Sequence, residues 1–60
     1  MYVEPGSKVK ISFGKYKGKE GTYSRYSCMS ELHIVVVENL VIPEQTVEIA
    51  LRNGEFEVAA

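Results

Sequence analysis

The chain has 60 residues, a single cysteine and a formal net charge of −1. One domain is all that this length holds, and a domain so small buries only about 60% of the surface its unfolded chain exposes. Cys28 has no partner for an internal disulfide, which points to a reducing, cytoplasmic setting.

Further classes are excluded by pattern. The longest aliphatic run, Ile34 to Val37, is far too short to cross a bilayer. The N-terminus lacks the basic-then-apolar order of a secretory signal. Charge is divided unevenly. Residues 1–30 carry six Lys or Arg against two Glu, and residues 31–60 carry one Arg against six Glu. This asymmetry predicts a basic surface beside an acidic one, unless the strands interleave and screen each other.

In chain order, Val9, Ile11 and Phe13 alternate with Lys8, Lys10 and Ser12, the period of a half-buried strand. A loop follows in which Lys15, Lys17 and Lys19 are set among Gly14, Gly18 and Gly21. Glycine turns the chain sharply there while the lysines stay in solvent. In the next strand, from Gly21, Tyr23 and Tyr26 are three residues apart, so a bulge near Ser24-Arg25 is needed to bring both rings to one face. Ser27 to Glu31 reads as a loop, with Met29 available to fold inward. Leu32 to Val37 is a strand with two apolar faces; we assign Leu32, Ile34 and Val36 to the core, and the opposite side marks a candidate homodimer contact.

Pro43 cannot donate to a strand ladder, so Val41-Ile42 leads to a turn at Pro43-Glu44-Gln45, with at most one turn of 3₁₀ helix. Thr46 to Arg52 and Glu55 to Val58 flank Asn53-Gly54, the preferred pair for a type I′ hairpin turn. The hairpin register sets Leu51 against Phe56 and Ile49 against Val58, and places Glu48, Glu55 and Glu57 on one outer face. No stretch of ten residues has helical period. The expected fold class is therefore all-β, a small barrel of about five strands formed by residues 1–60 as a single domain. Its core comprises Val9, Ile11, Phe13, Tyr23, Leu32, Ile34, Val36, Val47, Ile49, Leu51, Phe56 and Val58.

The residues Gly6, Val9, Ile11, Gly14, Lys17, Gly18, Gly21 and Tyr23 together resemble the KOW motif of ribosomal large-subunit proteins and NusG-type transcription elongation factors. The resemblance covers residues 6 to about 26. It implies a small SH3-like barrel of about five strands, whose members bind RNA, ribosomal proteins or transcription machinery. Tyr23 and Tyr26 stand where that family usually has small aliphatics.

Catalytic arrangements are hard to find. The chain has no aspartate, and His33 is its only histidine. His33 and Cys28 are too few for a zinc site, and the glutamate spacing matches no calcium loop. Lys17-Gly18-Lys19 lacks the glycine run and the Lys-Ser/Thr pair of a nucleotide-binding loop. No enzyme activity, metal or cofactor is expected; Cys28 reads as incidental, and His33 as a strand residue facing solvent or a neighbouring ring.

Binding chemistry is better represented. Lys15, Tyr16, Lys17 and Lys19 interleave cations with an aromatic ring, and Arg25 extends the patch. Lysines meet phosphates as point charges, and an exposed ring stacks on unpaired bases. The leading expectation is a module that contacts nucleic acid, RNA in preference to DNA, or a transcription or ribosomal complex. The alternative is a small protein-binding regulator, phage- or plasmid-like in size, that docks through the acidic face of Glu48, Glu55 and Glu57 or through a strand edge. Either is expected as a monomer or weak homodimer.

Overall fold

A computed structural model of the chain describes residues 3–42 and 44–59. Five strands form: β1 (Lys8–Ile11), β2 (Glu20–Ser27), β3 (Leu32–Glu38), β4 (Thr46–Leu51) and β5 (Phe56–Val58). All pairings are antiparallel, in one sheet of order β4-β3-β2-β1-β5. The all-β class and the strand count are those expected. The sheet is barrel-like, but it is not closed by a ladder between β4 and β5.

Alternation builds the inner face of β1, where Val9 and Ile11 are fully buried. The N-terminal segment extends this region: Val3 is buried, and Gly6 N–H donates to Tyr23 O while Tyr23 N–H donates to Ser7 O. In β2 the expected bulge is present. Tyr23 pairs with Val35 and Arg25 with Ile34, so Ser24 is the extra residue. Tyr23 and Tyr26 thus fall on the same face, Tyr23 buried and Tyr26 partly exposed over the His33 ring at 4.9 Å between centroids.

Strand β3 presents the opposite face from the one assigned by sequence. His33, Val35 and Val37 are buried, and Leu32, Ile34 and Val36 are only partly covered on the outside. Hydrophobicity favours the other face, since His33 shares the buried side with Val35 and Val37, and a one-residue choice moves every side chain. Gly21 decides it. A Cβ there would lie 2.6 Å from Val37 Cγ1 and 2.7 Å from Val35 Cγ1, so the missing side chain is the space those two valines occupy. On the outer face, Arg25 and Glu48 form an ion pair at 3.7 Å. Their register partners on β3 are Ile34 and Val36, so the pair links β2 to β4 across that strand.

The turn at Asn53-Gly54 forms, but the hairpin does not. Glu55 N–H donates to Arg52 O at 3.0 Å, and Gly54 has φ +90° while Asn53 does not enter positive φ. That is the pattern of a type II turn; type I′ needs positive φ at both central residues. A type II turn splays the flanking strands instead of matching their twist. Accordingly β4 pairs with β3, β5 crosses to β1, and Phe56 lies opposite Ile11 rather than Leu51. Leu51 and Phe56 are still both buried, because the corner delivers them to the same core.

Other core assignments need correction. The strand ends at Ile11, so Phe13 leaves the sheet and is 62% exposed. Tyr16 returns from the loop to join the core in its place. Val58, on the edge strand β5, is half exposed, and Val47 and Ile49 are partly buried against the core. Met29 is fully exposed at the tip of the β2–β3 turn instead of folding inward. The turn expected at Pro43-Glu44-Gln45 includes Pro43, which lies outside the described residues. No helix among the described residues is long and apolar enough to cross a membrane.

Candidate nucleic-acid interface

The β1–β2 loop is held by backbone hydrogen bonds at both its base and its interior. Ile11 N–H donates to Lys19 O at 2.9 Å and Gly18 N–H to Ile11 O at 2.8 Å, which closes the base. Two consecutive turns form inside, with Lys17 N–H donating to Gly14 O and Lys19 N–H to Tyr16 O. Gly14 and Gly18 adopt φ of +85° and +90°, the region that a β-carbon resists. Lys15, Lys17 and Lys19 are exposed, and among the described residues none makes an ion pair. Their charge is presented on ordered backbone and left uncompensated.

Tyr16 does not take the place the sequence suggested. It is 8% exposed, packed in the core, with Lys15 Nζ 5.6 Å above its ring centroid. A ring so enclosed anchors the loop and has no free face for a base. The aromatic exposed on this loop is Phe13, which the period-two pattern had assigned to the core. The strand ends at Ile11, so Phe13 already belongs to the loop that Gly14, at φ +85°, helps to turn.

Arg25 stands apart from the loop. It is five residues beyond Glu20 in β2, roughly 16 Å at ~3.3 Å per strand residue, and is engaged with Glu48. Lys8 and Lys10 are nearer, exposed on β1, although Lys10 is flanked across the sheet by Glu20 and Glu57. The basic surface is therefore the loop with the adjoining strand.

The acidic face is dispersed. Glu48 lies on β4 and Glu57 on β5, the two ends of the strand order, and Glu55 is at the corner, where its carboxylate accepts from Arg52 N–H at 2.8 Å. The expected face was a consequence of a β4–β5 hairpin register that does not form.

A second cluster was only half anticipated. His33 is 1% exposed and surrounded by the rings of Tyr23, Tyr26 and Phe56, with centroids 5.6, 4.9 and 5.0 Å away. Its Nε2 lies 2.6 Å from Asn53 Oδ1 and its Nδ1 lies 2.8 Å from Tyr23 Oη. A carbonyl oxygen only accepts, so Nε2 carries the proton and Nδ1 accepts from the tyrosine hydroxyl. The ring thereby ties β2, β3 and the Asn53 corner together. Among the described residues, no group of three or more His, Cys, Asp or Glu is arranged to hold a metal ion.

Neither the family models, nor the curated proteins, nor the solved structures include a match to this chain.

Proposed function

We propose that this protein is a non-enzymatic binding module that contacts single-stranded nucleic acid, RNA in preference to DNA, through its β1–β2 loop, as part of a transcription or ribosomal complex. The observation that carries the reading is the loop itself: three exposed lysines that make no ion pair among the described residues, on backbone fixed by four hydrogen bonds. Lys15, Lys17 and Lys19 meet phosphates, and Phe13 supplies the stacking ring that Tyr16 cannot. The resemblance of residues 6–26 to the KOW motif supports RNA and its complexes as the setting. The chain's net negative charge does not oppose this, because phosphates respond to the local field of the lysines.

Protein docking through Glu48, Glu55 and Glu57 rested on a β4–β5 hairpin register, and β4 and β5 pair with other strands instead. The strand-edge version keeps one supporting observation, the open outer edge of β4.

Fluorescence anisotropy with a single-stranded RNA and its duplex form tests the proposal. Phe13→Ala weakens binding to the single strand by about tenfold, the lower part of the range for one base–aromatic stack. Binding to the duplex scarcely changes, because paired bases offer no free face. Equal loss on both forms, or no binding by the wild-type chain, contradicts the reading.

A further inference from the structure

The β3–β4 loop exposes three consecutive aliphatic residues, Leu40, Val41 and Ile42, with Val41 85% exposed. The segment is not loose. Asn39 Oδ1 accepts from Val41 N–H at 2.8 Å and from Ile42 N–H at 3.1 Å, while Asn39 N–H donates to Gln45 O and Gln45 N–H to Ile42 O. A prearranged apolar knob loses little freedom when it is covered. Its charged neighbours are Glu38 and Glu44, and no Lys or Arg occurs between Arg25 and Arg52. This knob repels an anionic surface and favours an apolar recess with a cationic rim.

The same chain has an open recess with two lysines in its lining, whose one aliphatic member, Ile11, is 1% exposed. An open cleft of ≈ 340 Å³ is lined by Lys10, Ile11, Ser12, Lys17, Gly18 and Glu57. Its two lysines outnumber its one glutamate, and Glu57 lies across the strands from Lys10. The volume suits one or two aliphatic side chains. Gly21, near the start of β2, lies against Val37, near the end of β3. The lysine loop and the aliphatic knob therefore leave the same end of the β2–β3 ladder. This placement allows two copies to dock reciprocally, each knob entering the other's cleft, as a two-fold interface requires.

We infer that the protein forms a two-fold homodimer, exclusive with nucleic acid at the β1–β2 loop, in which Val41, with Leu40 and Ile42, seats in the partner copy's cleft between Lys10 and Lys17, and Glu44 takes the place of phosphate at Lys17. The outer stripe of Leu32, Ile34 and Val36 is less suited because the Arg25–Glu48 pair crosses it.

Sedimentation equilibrium from micromolar to millimolar protein tests the inference. The mass rises from 6.7 kDa toward twice that value as concentration increases. Val41→Ser weakens association by about a hundredfold or more, because two-fold symmetry removes two buried valine side chains at once. Lys17→Glu weakens it as well, and Lys17→Glu combined with Glu44→Lys restores it. Both positions are exposed, so circular dichroism of each variant matches the wild type. A monomer throughout, a dimer indifferent to Val41→Ser, masses beyond twice the monomer, or failure of the charge exchange to restore association each overturns the inference.

Discussion

His33 does its work by joining elements that are distant in sequence. Through one ring, Tyr23 on β2 and Asn53 at the corner are connected, and three aromatic neighbours enclose it. Leucine would fill much the same volume and supply neither hydrogen bond. His33→Leu is expected to destabilise by about 1–3 kcal/mol, a large share of the roughly 3–9 kcal/mol available to a domain of this length. Urea denaturation checks it, and an unchanged midpoint refutes the structural role. Gly21 is the other decisive residue. A Cβ there meets two valine side chains and Val36 O at 2.8 Å, and the backbone atom cannot rotate away. Gly21→Ala should lower stability by about 1–3 kcal/mol, the range for an overfilled core; a midpoint equal to wild type would mean that β2 and β3 do not approach so closely at this point.

At the scale of elements, the turn and the strands were legible where local chemistry sufficed. Alternation located β1, the spacing of Tyr23 and Tyr26 located the bulge, and Asn53-Gly54 located a turn. The partner of β5 was not legible. Asn-Gly supports a type I′ turn, yet glycine at the second central position also admits type II, and the two send the chain to different strands. What holds Asn53 is its bond to His33, twenty residues away, which no local pattern contains. The facing of β3 was hidden for a similar reason: the buried face carries His33 and is the less apolar of the two, and the deciding vacancy is on β2. Nuclear Overhauser effects between backbone protons distinguish the pairings. They are expected between Ile11 and Phe56 and between Val9 and Val58; a ladder joining Leu51 to Phe56 would restore the hairpin and contradict this topology.

Across the whole molecule, the sheet distributes charge more finely than the two halves of the sequence suggested. Cations gather on β1 and its loop, but the acidic residues scatter: Glu48 beside Arg25, Glu55 onto the corner backbone, and Glu57 across from Lys10. The exposed lysine loop was readable because glycine and lysine alternate there without reference to any other element. Its aromatic member was not, because burial of Tyr16 and exposure of Phe13 depend on where β1 ends. The central claim is that three loop lysines meet phosphate, and the salt dependence of RNA binding measures it. Affinity for a single-stranded RNA should fall linearly in log–log form with salt, and changing Lys15, Lys17 and Lys19 together to glutamine should flatten the slope by about 0.7 for each phosphate that is no longer neutralised. Folding stability should move by less than about 0.5 kcal/mol, since these side chains are exposed and make no ion pair among the described residues. Wild-type protein that shows no salt-sensitive binding at low ionic strength, or a triple variant with an unchanged slope, would contradict the account.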